Sequence, residues 1–210
     1  MSPYVLPEDA ATIVAFNANV APHHIVHLEV VPEPYLGDPN APVVLLNMNP
    51  GYVDDDRTVH LDRHFNNAAR SNLLHGHASW PLYLLDPSLP DSPGREWWRR
   101  KLSAVIAALG SAEAVAASIF VAEVHGYHSK RFHPSLRIPS QQYTFALVRA
   151  ALKRRAHIVV MRGRRLWLHL LPELAEAPLI TLRNPQNPTI SPGNCPEQFD
   201  AIVRAILSAA

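Results

Sequence analysis

The chain of 210 residues is 48% hydrophobic, so it can bury one sizeable core, and its composition does not require a second domain. Its single cysteine, Cys195, excludes an internal disulfide and fits a reducing compartment. A formal net charge of +1 argues against a protein that binds nucleic acid through charge alone.

The charge is distributed unevenly along the chain. Residues 1–95 contain 4 Arg and 11 acidic residues, whereas residues 96–210 contain 15 Lys and Arg and 7 acidic residues. The basic half can supply a phosphate-facing surface, although solvated helix faces explain each single cluster equally well. No apolar run approaches the ~18 residues that a membrane span requires, and the first residues lack the features of an export signal. We therefore expect a cytoplasmic monomer that does not contact a membrane.

Residues 1–42 are predicted to form an N-terminal extension of one domain that spans residues 1–210. Ile13, Phe16 and Val20 are spaced as on one face of a helix, and a proline-rich passage follows them. Imidazole suits zinc, but the three histidines of this extension lack cysteine or carboxylate partners, so we favour a surface or packing role. These histidines are His23, His24 and His27.

The run 43–46 consists of four apolar residues and passes directly into a polar loop. A short apolar run of this kind predicts a strand that is covered on both faces of a parallel sheet. Ligands bind beyond the carboxyl ends of such strands, where Asn47, Asn49 and Tyr52 follow. The Pro-Gly pair in this loop allows a close approach of the backbone to a flat ligand, although a plain turn explains the same pair.

The loop continues with three consecutive carboxylates at residues 54–56, which suit a hard cation such as Mg²⁺. No second acidic cluster is near in sequence, so solvated loop acids are the preferred interpretation. Apolar residues then recur every four positions from Leu61 through Phe65 to Leu73, and this spacing predicts a helix. A second amphipathic helix is predicted from Trp98 to a stop at Gly110.

The apolar run 119–122 predicts the second strand, and Glu123 and His125 follow it. The segment after them interleaves cations with aromatic residues, as surfaces that bind nucleic acid do. A zinc site made of His125, His128 and His133 is conceivable, but it lacks thiolates and a recognised spacing.

Two further strands are predicted at residues 158–161 and 179–182, and polar residues follow each of them. Arg162, Arg164 and Arg165 follow the first, and we assign them to contact with phosphates. The second is followed by a proline-rich loop that contains Arg183, Asn184 and Asn187. Four strands that alternate with helices indicate an α/β fold with a doubly wound parallel sheet, in a three-layer α/β/α sandwich.

The loops after the first and fourth strands resemble the two motifs of the uracil-DNA glycosylase superfamily. Met48-Asn49-Pro50-Gly51 is similar to the first motif of its single-strand-selective and mismatch-specific branches, and Asn184-Pro185 stands at the second. The resemblance extends over most of residues 40–205. The sequence departs from the pattern at Asn47, where glycine is usual, and at residues 186–187, where a short serine-containing turn is usual.

The resemblance implies a strand order of 2-1-3-4 and the hydrolysis of an N-glycosidic bond in DNA, with no cofactor and no metal. Asn49 would position the attacking water, and Asn184 would assist the leaving base. The residues that would bind the base are Met48, Tyr52, Phe65, Glu123 and His125. The residues assigned to the DNA backbone are Arg162, Arg164, Arg165, Arg183 and Asn187. Neither Glu123 nor His125 is the asparagine that reads the base in this superfamily, so the preferred base is left open.

Two alternatives are compatible with the sequence. The first is a module of the same fold that binds nucleic acid without cutting it. The second is a metal-dependent hydrolase of small molecules that uses the histidine and aspartate clusters.

Overall fold

The computed structural model describes residues 4–76 and 79–209. The strands are β1 (Tyr35–Leu36), β2 (Val43–Leu46), β3 (Ile119–Ala122), β4 (His157–Val160) and β5 (Ile180–Thr181). The α-helices are α1 (Pro7–Asn19), α2 (Asp55–Leu61), α3 (Arg63–Leu73), α4 (Pro93–Leu109), α5 (Ala112–Ser118), α6 (Gln141–Lys153), α7 (Arg164–Leu170) and α8 (Phe199–Leu207).

The strands form one mixed sheet in the order β1-β3-β2-β4-β5. Strand β2 is central and runs parallel to β3 and to β4, with Val43 in register with Ile119 on one side and with His157 on the other. Strand β5 adds to β4 in parallel, whereas β1 pairs with β3 in the antiparallel direction. The α/β class is therefore confirmed, but the expected sheet of four parallel strands alone is wrong. The extra strand has only two residues, which is too short to produce a period in the sequence.

Both faces of β2 are buried, because successive strand residues point to opposite faces. Val43 and Leu45 belong to an apolar cluster that includes residues of α3, α4, α5 and α8. Val44 and Leu46 belong to a second cluster that includes residues of α6 and α7. Helices thus cover the central strand from both sides, which explains why its sequence is a continuous apolar run rather than an alternating one.

The helix predicted around Phe65 is present, but it begins later than expected. Leu61 is the last residue of α2 and is exposed, so it does not share a buried face with Phe65. Asp62 lies between α2 and α3 and caps α3. Its Oδ1 accepts hydrogen bonds from the backbone N–H groups of His64 and Phe65 at 2.9 and 3.0 Å.

Helix α1 is fastened to the domain by the buried carboxylate of Asp9. The hydroxyl of Tyr127 donates to one of its oxygens at 2.9 Å, and the backbone N–H of Ser140 donates to the other at 3.1 Å. Ile13 packs beside this contact in a small apolar cluster with Leu136 and Tyr127. The N-terminal segment is therefore bound to the loop that follows β3.

Among the described residues, no single helix is both long and apolar enough to cross a membrane. One bent pair, α4 with α5, meets that requirement by length and composition only, with an angle of 111° between the two helices.

Replacement of Asp9 by alanine leaves the buried hydroxyl of Tyr127 and the half-buried backbone N–H of Ser140 without their acceptor, and losing the partner of a buried donor costs about 1–3 kcal/mol. We expect Asp9→Ala to lower the free energy of unfolding by about 2 kcal/mol or more in urea titrations. The matched control is Glu8→Ala, which removes an exposed carboxylate from the same helix turn. Equal unfolding midpoints for the two variants would contradict the role of Asp9.

Candidate functional site

A cavity of about 470 Å³ lies where β2, β3 and β4 end. Its volume is in the range of pockets that bind small ligands. The cavity brings together six residues that the sequence assigned to the site. They are Met48, Asn49, Tyr52, Phe65, Glu123 and Arg162.

Hydrogen bonds to strand β3 and from helix α7 fix the first loop of the site. The backbone N–H of Asn47 donates to the carbonyl of Ala122 at 2.9 Å, and the indole N–H of Trp167 donates to the carbonyl of Asn47 at 2.7 Å. Met48 packs on the backbone of Gly163, where an added Cβ would lie 2.9 Å from its sulfur. The path of the loop beyond β2 is therefore set by the chain on each side of it.

The amide group of Asn49 is held in one orientation. Its Nδ2 donates to the carbonyl oxygens of Pro50 and Ser129 at 2.9 and 3.1 Å, and to Ser129 Oγ at 2.9 Å. Within residues 4–76 and 79–209 no group donates a hydrogen bond to Asn49 Oδ1. Because Asn49 lines the cavity, this oxygen is an acceptor that a water molecule or a ligand can use.

Glu123 is a buried carboxyl group in the wall of the cavity, with 3% of its surface exposed. The Nδ2 group of Asn47 donates to its Oε1 at 3.0 Å, while its Oε2 is buried and has no partner among the described residues. Burial raises the pKa of Glu123 well above its usual range, and the nearby Glu33 adds to this shift. The Asn47 hydrogen bond and the charge of Arg162 oppose it without reversing it. Burial therefore favours the neutral, protonated form of this side chain.

A buried cluster of Glu33, His60 and His128 forms part of the same wall, with potential ligand atoms within 4.8 Å of one another. The Nδ1 atom of His60 accepts from the backbone N–H of Val31 at 3.1 Å, so its proton is on Nε2. Burial lowers the pKa of His60 to about 3, and the proximity of His128 contributes. His60 is therefore a neutral imidazole whose unprotonated nitrogen is already in use.

The hydrogen bonds of His128 also disfavour a metal. Its two ring nitrogens lie 2.7 Å from the carbonyl oxygen of Gly51 and 3.1 Å from that of Val31, so each nitrogen faces a hydrogen-bond acceptor. Its Nε2 lies 3.9 Å from Glu33, whose other oxygen accepts from the hydroxyl of Tyr83. A metal ligand must offer a lone pair, but the unprotonated nitrogen of His60 is engaged by Val31 and both ring nitrogens of His128 face backbone carbonyls. Burial raises the pKa of Glu33, against the opposing effects of His128 and of the Tyr83 hydrogen bond.

Aromatic rings form much of the remaining wall. Phe65 is buried and packs edge-on against His60 and Tyr83, with ring centroids 5.0 and 5.5 Å apart, so it belongs to the core as well as to the cavity. Trp97 and Trp98 at the start of α4 also line the cavity, and the guanidinium of Arg162 lies 5.9 Å from the centroid of the Trp97 ring. Flat apolar faces next to polar groups suit a planar heterocycle.

The remaining predicted residues do not line the cavity. His125 is buried and stacks on Phe132 at 5.3 Å, and its backbone N–H donates to the carbonyl of Met48 at 3.3 Å. Burial lowers the pKa of His125 to about 4. His125 therefore supports the first loop instead of touching a ligand.

The loop that contains Asn184 lies beside the cavity and not in its wall. Asn184 Oδ1 accepts from the backbone N–H groups of Gln186 and Asn187, both at 3.1 Å, so the side chain caps its own exposed turn. Arg162 joins the loop to the cavity, because its guanidinium donates to the carbonyl of Gln186 at 3.3 Å. Arg164, Arg165 and Arg183 are exposed, as a role in phosphate contact requires. Asn187 accepts from Lys101 of α4.

The structure does not assemble the metal groups that the sequence suggested. The only group of three potential ligands found among the described residues is the Glu33–His60–His128 cluster. Of the three aspartates that follow the first loop, Asp56 alone is buried, and its Oδ2 accepts from the backbone N–H of Val53 at 2.7 Å.

Sequence reasoning missed several residues of the wall. Glu33, His60 and Trp97 are far from the strand exits in sequence, and no local spacing connects them. The adjacent tryptophans at the start of α4 were a usable signal, because one helix face cannot bury both of them.

Comparisons with protein-family models, with curated proteins and with solved structures find no match for this chain. The geometry of the site therefore carries the functional argument.

A neutral Glu123 predicts a stability that depends on pH. Its pKa in the fold is raised above the unfolded value of 4.5, so its contribution is complete below pH 4.5 and is lost as pH rises through the folded pKa. Between these limits the wild type should lose about 1.4 kcal/mol per pH unit relative to Glu123→Gln, which cannot ionise. Denaturant titrations of both proteins over a pH series measure this difference.

Glu113→Gln serves as the control, because Glu113 is an exposed residue of α5. Its difference from the wild type should stay constant with pH. A constant difference for Glu123→Gln as well would show that folding does not raise the pKa of Glu123.

Proposed function

We propose that this protein releases a base from DNA by hydrolysis of the N-glycosidic bond. The observation that carries the proposal is the fixed amide of Asn49, whose Oδ1 is available in a cavity that aromatic rings and buried polar groups enclose. The motif resemblance around Met48–Gly51 agrees with this geometry. The reaction needs an oriented water and donors toward the base, and it does not need a metal or a strong nucleophile.

In the proposed reaction, a water that donates to Asn49 Oδ1 attacks the sugar carbon as the bond to the base breaks. The electron pair of the broken bond leaves with the base, and a proton of the water passes to the base or to solvent. Asn49 orients the water but cannot take its proton. Asp56 is the member of the acidic triplet that lines the cavity, whereas Asp54 is exposed and lies 3.5 Å from Lys130.

A base must leave the stack to reach such a cavity. The rings of Phe65, Trp97 and Trp98 in the wall provide apolar surface for the flipped base. The exposed Arg164 and Arg165 begin α7 after β4, and the exposed Arg183 lies in the loop after β5; the proposal assigns the DNA backbone to these arginines. Asn184 is assigned to this outer loop in our proposal and not to the leaving base, because its Oδ1 is occupied by its own turn and the residue does not line the cavity.

A second candidate is a module that binds nucleic acid without cutting it. The observation that favours it is the shortage of a free carboxylate near Asn49, since Asp56 Oδ2 is occupied and burial raises the pKa of Asp56. The two functions differ in whether any base is released. Incubation with labelled oligonucleotides that each carry one damaged base, followed by alkaline cleavage, separates them.

If Asn49 orients the attacking water, Asn49→Ala should reduce the rate of base release by about 10²-fold or more, as the loss of one oriented polar group does. Its melting temperature should be compared with that of the wild type, because Asn49 also holds Ser129. Asn40→Ala is the control, since Asn40 is exposed and lies outside the cavity. Unchanged base release by a folded Asn49→Ala variant would remove Asn49 from the mechanism.

The dependence of DNA affinity on salt concentration tests the proposed DNA-binding surface. Each phosphate contact contributes about 0.9 to the slope of log affinity against log salt for duplex DNA. We expect Arg164→Gln with Arg165→Gln to reduce this slope by up to about two contacts' worth. The control pair is Lys153→Gln with Arg155→Gln, exposed cations that precede β4 at the opposite end of the sheet. Equal slopes for both pairs would show that the arginines of α7 do not face DNA.

A further inference from the structure

Glu123 occupies the position at which the resembling superfamily reads the base, but it is a carboxyl group and not an amide. Three observations indicate how its carboxyl group can act. Its Oε1 is occupied by the amide of Asn47 at 3.0 Å, its Oε2 is without a partner among the described residues, and both residues line the cavity. The free oxygen is therefore the atom that remains for a ligand.

No cation forms an ion pair with Glu123 in the part of the chain that the structure describes. Arg162 is the positive group whose charge acts on it, and that guanidinium hydrogen-bonds Gln186 and lies over Trp97. The other charged neighbour is Glu33, which is itself buried and has the same sign. An ionised Glu123 would thus be a buried anion whose only hydrogen bond comes from a neutral amide, and such an anion is strongly disfavoured.

We infer that Glu123 determines specificity by donating a hydrogen bond from its protonated Oε2 to an acceptor atom, such as a carbonyl oxygen, on the heterocycle in the cavity. Asn47 positions this donor. Because its Nδ2 donates a hydrogen bond to Oε1, Oε1 is the carbonyl oxygen of the acid and the proton is on Oε2. A carboxylate would do the reverse and select an edge that carries N–H groups. The inference rests on the proposed function only for the kind of ligand, a planar heterocycle.

The test measures binding of free uracil, a neutral heterocycle with two carbonyl acceptors, by calorimetry with wild-type protein and two variants. Glu123→Gln keeps an oxygen for Asn47 and an N–H donor for the ligand, so we expect its affinity to stay within about threefold of the wild type. Glu123→Ala removes the donor and should weaken binding by about tenfold or more. Glu113→Gln is the matched control for an exposed glutamate, and melting temperatures confirm that each variant is folded.

The pH dependence provides a second readout, over a range in which the probe itself stays neutral. Wild-type affinity should be highest at low pH and fall as pH rises through the pKa of Glu123, whereas the affinity of Glu123→Gln should not change. The inference is overturned if Glu123→Gln loses as much affinity as Glu123→Ala, if wild-type affinity increases with pH, or if the folded wild type does not bind uracil.

The binding assay tests the role of Glu123 separately from the proposed function, because no nucleic acid is present in it. A protein that binds uracil in this way but releases no base from any oligonucleotide supports the inference and contradicts the glycosylase proposal. A protein that releases bases equally well as Glu123→Ala contradicts the inference alone.

Discussion

The site depends on hydrogen bonds that continue the sheet beyond the end of β2. The backbone N–H of Asn47 is bound to Ala122 on one side, and the backbone N–H of Met161 donates to the carbonyl of Leu46 on the other, both at 2.9 Å. Further along, the backbone N–H of Ser129 donates to the carbonyl of Pro50 at 3.2 Å. The first loop is thus an irregular extension of the central strand. These hydrogen bonds fix the backbone of the loop, and the fixed backbone in turn positions its polar side chains.

This constraint explains how a cavity can contain several buried titratable groups. The backbone that bears Glu33, Glu123 and His60 forms its own hydrogen bonds in the interior. The fold therefore buries these three side chains and removes them from water. Each group responds by favouring its neutral form, and burial is the main cause in every case. These three groups therefore offer hydrogen bonds with little charge of their own. This part of the wall suits a neutral planar ligand better than an ionic one.

The sequence was a good guide to the parts of the fold that have a period. Continuous apolar runs located β2, β3 and β4 to within one residue, and a four-residue spacing located the helix around Phe65. It could not locate β1, because these two residues lie in the proline-rich passage before β2 and not in an apolar run.

The same distinction applies to the site. Residues that directly follow strands, such as Asn49 and Glu123, could be placed at one edge of the sheet from the chain order alone. His60 and Glu33 could not, because their approach to His128 depends on tertiary packing between segments that are dozens of residues apart. Asn184 was expected to point into the cavity by analogy of position. Its side chain satisfies nearby backbone N–H groups first, as asparagine in a turn commonly does.

The two outermost strands have a consequence for association between molecules. Both β1 and β5 contain only two residues, so each margin of the sheet exposes a very short row of unpaired backbone groups. A foreign strand needs a longer row to add itself, and long flat margins are the usual starting point of aggregation. The apolar central strands would promote aggregation if their edges were exposed. The short outer strands β1 and β5 cover those edges. The architecture thereby protects the molecule against self-templated growth at the two margins of its sheet.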